Sequence, residues 1–147
     1  MDELKNNPQI IELLETLEEN GMHKEKGEVS ALVSYIGDME HTLSAMLAEM
    51  QEMRKEVNMI HNSSVKAKCE NLIQTADGKI RQGVAAISKA KNNLITSAAN
   101  AMKAFREKGK EALKNAVKAM KIPETLDKLG KVFHSFAVSM NGNVQNV

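Results

Sequence analysis

The chain has no tryptophan, one tyrosine, three phenylalanines, one cysteine and two prolines among its 147 residues. Each scarcity excludes something. With aromatics at 3% of the chain, few broad side chains are available for a β-sandwich core or a large ligand pocket. The lone Cys69 cannot form an intrachain disulfide and fits a reducing compartment. No apolar run approaches the roughly 20 residues that span a bilayer. The N-terminus, with Asp2, Glu3 and Lys5, has no apolar signal-peptide core. A cytoplasmic localisation is the expectation.

What the chain has in quantity is helix formers. Glu, Lys, Ala, Leu and ten Met dominate its middle. Val29, Leu32, Ile36, Met39, Leu43, Met46, Met50, Met53, Val57 and Ile60 alternate spacings of three and four without a miss. That rhythm holds one seam of an α-helix against a partner for more than four heptads. The Met residues make the seam compliant, because an unbranched thioether adapts to irregular holes. A Met stripe can also line a binding groove, but at unbroken heptad spacing the plainer expectation is core.

Sparse punctuation divides the rest. Asn7 and Pro8 read as an N-cap and first-turn pair, and Gly21 as the glycine that ends a first helix over about 8–20. The heptad helix follows over about 22–62, with Gly27 and Gly37 on its outward side. Ser63 or Ser64 can cap a third helix over about 64–121, with a bend or break near Gly109. Pro123 opens a fourth over about 123–140, striped by Leu126, Leu129, Phe133, Phe136 and Met140, and residues 141–147 form a tail. A connection as short as residues 61–64 makes the two long helices antiparallel neighbours. The fold class expected is all-α: an elongated, coiled-coil-like helical hairpin with short flanking helices, forming one unit.

The third helix shows a different spacing. Val65, Ala76, Ile87, Ala98 and Gly109 recur every eleven residues, with parallel rows through Ile73, Val84 and Ile95 and through Leu72, Gly83, Leu94, Phe105 and Ala116. Eleven residues in three turns gives about 3.67 per turn, which runs nearly straight. Opposed to a seam of period 3.5, it predicts splaying where the two diverge. At 1.5 Å per residue the third helix would be roughly 87 Å long against roughly 60 Å for the second. The overhang calls for the first helix, the segment around 105–121 and the last helix to gather at one end.

Charge is lopsided. Residues 1–60 carry thirteen acids and five bases, a balance of −8, whereas residues 61–147 carry fifteen bases and six acids, a balance of +9. Acidic helices lying along basic ones is the simplest use of that asymmetry. Lys103, Arg106, Lys110, Lys114, Lys118 and Lys121 also follow helical spacing along one face. They are the candidate surface for anionic lipid or nucleic acid, although no recognition motif or aromatic stacking platform accompanies them.

Catalytic constellations are missing. The four His are scattered, and no Glu-x-x-His pair, Cys/His metal spacing or Gly-rich phosphate loop occurs. Asp38-Met39-Glu40-His41 is the nearest approach and reads as a solvated helical turn. A pocket lined by His41 and several carboxylates would be the sign of an enzyme. The expectation is a non-enzymatic interaction or scaffold protein with no cofactor, metal or small-molecule substrate. Its partner would be another protein or a second copy of the chain.

Several stretches are similar to a known family. Leu13-Leu14 through Glu19-Asn20-Gly21-Met22-His23, Leu32-Val33-Ser34-Tyr35-Ile36 with Met39-Glu40, Ser63 to Ala67 and Ala104 to Gly109 resemble uncharacterised helical proteins of gut Firmicutes. These form a domain of unknown function often found near mobile-element genes. The resemblance implies a bacterial, intracellular setting and assigns no residue a role.

Overall fold

The computed structural model describes residues 3–145, with side chains from Glu3 to His134. Its order is a short 3-10 turn at Leu4–Asn6, then α1 (Pro8–Glu19), α2 (His23–Asn58), α3 (Ser63–Lys108), α4 (Lys110–Ala119) and α5 (Ile122–Gln145). Among the described residues there is no strand, and the all-α class is as expected.

Local chemistry sets most boundaries. Asn7 caps α1, its side chain accepting from Gln9 N–H at 2.9 Å and Ile10 N–H at 3.4 Å, with Pro8 in the first turn. Gly21, at φ +69°, closes α1 with a paired return: Met22 N–H reaches Leu17 C=O and Gly21 N–H reaches Glu18 C=O. The cap of α3 is Asn62, not Ser63 or Ser64. Its side chain accepts from Ser64 and Val65 N–H at 3.0 and 3.1 Å, while Ser63 is already helical. Accordingly α2 ends at Asn58, earlier than the heptad pattern suggests, and residues 59–62 make the bend. The break near Gly109 is real. Gly109 sits at φ +90°, where a Cβ is strained, and its N–H still bonds Phe105 C=O. Here α3 stops and α4 turns back.

α5 also departs from expectation. It begins at Ile122 and runs through Asn141-Gly142-Asn143 to Gln145 instead of stopping at 140. Residue propensity is a weak prior, and two Asn and a Gly do not by themselves halt an established helix. The Phe136 and Met140 side chains of the expected stripe lie outside the described residues.

Two ion pairs fix the register of the long helices. Glu40 lies 3.2 Å from Lys91, and Arg54 lies 3.2 Å from Asp77. Fourteen residues forward on α2 (40 to 54) thus match fourteen backward on α3 (91 to 77), which makes the pair antiparallel. Val29, Ile36, Leu43, Met50 and Val57 come level with Ala101, Leu94, Ile87, Ile80 and Ile73, and all ten are buried. On both helices the step is seven residues. The eleven-residue reading of α3 is therefore corrected. Its first row enters the core at Ala76, Ile87 and Ala98 but leaves Val65 47% exposed. Two helices that cross at a shallow angle share one drift, so the partner's heptad selects which apolar residues of α3 are used.

The flanking elements collect at the end of the hairpin that holds the start of α2 and the end of α3. α1 packs on both long helices, α4 folds back along α3, and α5 packs on α2 and α3. Ile10, Leu13, Leu17, Val29, Leu113, Val117 and Ile122 are all at most 1% exposed there. Leu4 of the 3-10 turn closes the same core. Further along, Phe133 of α5 reaches Gly83. A Cβ on Gly83 would sit 3.1 Å from Phe133 Cε1 and 3.2 Å from a Leu43 methyl, so the bare backbone makes room for the aromatic ring.

Candidate functional site

The ten seam residues, nine on α2 and Ile60 in the bend, divide into two lines. Val29, Ile36, Leu43, Met50 and Val57 are buried along the α3 register, and Leu32 is buried as well. Met39, Met46 and Ile60 are half-buried, and Met53 is 44% exposed. The alternate line thus opens toward the bend, where Met59 is 77% exposed. Glu49, Glu52 and Glu56 share the Met53 side of the helix, and all three are exposed. Together they make an acidic, methionine-bearing stripe on the last turns of α2.

The basic residues fall on three elements, not on one continuous face. Lys103 and Arg106 end α3, Lys110, Lys114 and Lys118 lie on α4, and Lys121 occupies the turn before α5 at φ +52°. The reversal at Gly109 breaks the helical spacing that linked them in sequence. Arg106 is ion-paired with Glu12 of α1, so part of the charge is matched internally. Lys103, Lys110, Lys118 and Lys121 are exposed, and Lys114 is half-buried.

Other charges knit the hairpin. Asp77 Oδ2 accepts from Arg81 Nε at 2.8 Å, and its buried Oδ1 faces Arg54 Nη2 without a well-aligned hydrogen bond. The Arg81 hydrogen bond, with the charges of Arg81 and Arg54, holds the Asp77 carboxyl below its ordinary range despite partial desolvation. Glu40 and Lys91 form a half-buried bridge, their side chains 22% and 14% exposed. At the α1–α2 junction Glu18 meets Lys26 at 3.1 Å and His23 at 3.2 Å, and the Lys26 contact leads in lowering its pKa. Tyr35 is shifted upward by burial, its ring tilted against Phe133 at 6.4 Å. Motif reading missed these pairs, since each joins residues on different helices or one turn apart. The antiparallel register alone would have found the two α2–α3 pairs, Glu40–Lys91 and Arg54–Asp77.

A groove of about 480 Å³ lies between the 3-10 turn and α2, lined by Glu3, Asp38, Glu40, His41 and neighbouring backbone and apolar atoms. It has the lining that would signal an enzyme, yet the groups do not converge. Glu3 pairs with Lys5, Glu40 turns to Lys91, and no three His, Cys, Asp or Glu among the described residues could hold one metal ion. A second groove of about 480 Å³ flanks Arg54, Glu70, Gln74 and Asp77. Cys69 is half-buried on α3.

A helical hairpin with its core gathered at one end now has a family to stand in. A family model described as a family of unknown function, DUF6674, matches residues 6–147. The chain belongs to that family. No curated protein and no solved structure matches it. The match covers nearly the whole chain, all five α-helices included. Among the described residues no helix is long and apolar enough to cross a membrane.

Proposed function

We propose that this DUF6674 protein is a non-enzymatic helical interaction protein that presents the bend end of its hairpin to a protein partner. One observation carries the reading. Of the five large apolar side chains exposed among the described residues, Met53, Met59 and Val65 lie at or near the α2–α3 bend, Ile11 and Val132 lie on α1 and α5, and four other elements gather at the opposite end. Apolar side chains held out on a supported helical end suit docking to another helix. The divergent groups of the His41 groove support the non-enzymatic part of the reading. The bacterial, mobile-element setting implied by the resemblance suits a cytoplasmic adaptor of this kind.

The test is partner capture from a native host extract, comparing wild type with Met59→Glu and with Lys110→Glu/Lys118→Glu. Capture of a protein partner that is lost with Met59→Glu is the expected result. Equal capture by all three would overturn it. A second reading rests on the exposed Lys103, Lys110, Lys118 and Lys121, which could hold anionic lipid or nucleic-acid phosphates. Under it the protein cosediments with acidic vesicles or shifts DNA. Binding then falls steeply between roughly 50 and 200 mM salt.

A further inference from the structure

We infer that the occupant of the Met53 stripe is the α4 face of a second copy of this chain, arranged as a two-fold dimer. This rests on the interaction reading above and names its partner. The stripe runs Glu49, Glu52, Met53, Glu56, Met59, with Met53 44% and Met59 77% exposed. Its acids are weakly engaged. Glu52 has only a surface bridge to Lys55, both side chains being over 70% exposed, and such pairs contribute little. Arg54, the other nearby base, turns to Asp77 on the opposite side of the seam.

The complement is present on the same molecule, at the far end. Lys110, Lys114 and Lys118 lie on one side of α4, with Lys121 just beyond. The acidic row from 49 to 56 spans about 10 Å and the basic row from 110 to 118 about 12 Å at 1.5 Å per residue. Rows of similar length and opposite sign at opposite ends of one chain meet twice when two copies lie antiparallel with both rows turned to the partner, which is the self-complementarity a two-fold interface requires. Met53, flanked by Glu52 and Glu56, supplies the apolar centre, and charge sets partner and orientation. Charges already on α4 temper the match, since Glu111 is exposed beside Lys110. Leu113 and Val117 are buried in the chain's own core, so α4 contributes its outer, charged face alone.

The experiment is light-scattering mass across a dilution series at about 50 mM and 500 mM salt, with circular dichroism confirming each fold. Wild type is expected at twice the chain mass at low salt and to dissociate at high salt. Glu49→Lys/Glu52→Lys/Glu56→Lys and Lys110→Glu/Lys118→Glu should each be monomeric. The chain carrying both sets should dimerise again, because the two rows have exchanged sign. A monomeric wild type at low salt, or failure of the combined variant to recover, overturns the dimer. A monomer that still captures a partner through Met59 would refute the dimer while leaving the interaction reading standing.

Discussion

The two ends of this hairpin are built from the same heptad but not to the same standard. At the closed end, residues on α1, α2, α4 and α5 with 0–1% exposure meet around the end of α3. At the bend end, Met50, Val57 and Ile73 retain 5–8% exposure, and Met53, Met59 and Val65 are open to solvent. The difference is one of layers. A long helix buries one stripe against a single neighbour, and the rest of its apolar surface needs a third or fourth element. The closed end has those elements and works as a core. The bend end lacks comparable cover among the described residues, which makes it the place to look for partners.

The contrast can be broken most forcefully in the core. Leu13→Ala or Leu113→Ala should cost about 2–5 kcal/mol, from lost transfer energy plus a cavity the fully packed surroundings cannot fill. Val57→Ala, near the bend, should cost about 1–2 kcal/mol. Denaturant unfolding monitored by circular dichroism measures both, and equal losses would erase the distinction between the ends. Gly83→Val tests the boundary between them. A branched side chain must displace Phe133 and Leu43, and overpacking of that kind costs about 1–3 kcal/mol.

Smaller changes sharpen the picture locally. Asn62→Ala removes the cap of α3 and should cost about 1 kcal/mol. Its effect on amide exchange should be confined to the bend, leaving protection around Leu13 and Leu113 unchanged. Gly37→Ala runs the other way. A methyl there meets nothing within 4 Å, so helix propensity should add about 0.5–1 kcal/mol of stability, read as a raised unfolding midpoint. The smallest effect is a pH dependence. Asp77 has a folded pKa below its unfolded value, so its contribution is present at neutral pH and is lost as pH falls through the acidic carboxylate range. Wild type should therefore lose more stability than Asp77→Asn between pH 7 and pH about 3. Parallel curves would show that the Arg54–Asp77–Arg81 cluster does not help hold the helices.

How much was legible in advance varies by residue. Asn7-Pro8 and Gly21 announced α1 because their roles are local: an Asx side chain, a fixed φ and a permitted positive φ act within a few residues. The break at Gly109 was legible for the same reason. Asn62, Ser63 and Ser64 are all good caps, and only the path of the chain selects among them. The eleven-residue rows of α3 were a true pattern put to the wrong use. Ala76 and Ala98 are buried and Val65 is not, since burial depends on what the partner presents at that level. The candidate basic face failed as a single surface because a 3.6-residue projection cannot survive a reversal of direction at Gly109. Glu12 beside Arg106 was foreshadowed only in general terms, by the opposite charges of the two halves.

The sequence by itself determined an all-α chain, the bounds of α1, the break at Gly109 and the heptad that pairs α2 with α3, because capping and hydrophobic period act over short range. Which half of each seam is buried, where the closed end lies, and which charges remain exposed were decided by the tertiary structure. Those outcomes depend on register and on the return of α1, α4 and α5 to one end. Contacts such as Lys91–Glu40 and Arg106–Glu12, 51 and 94 positions apart, leave little trace in any local window.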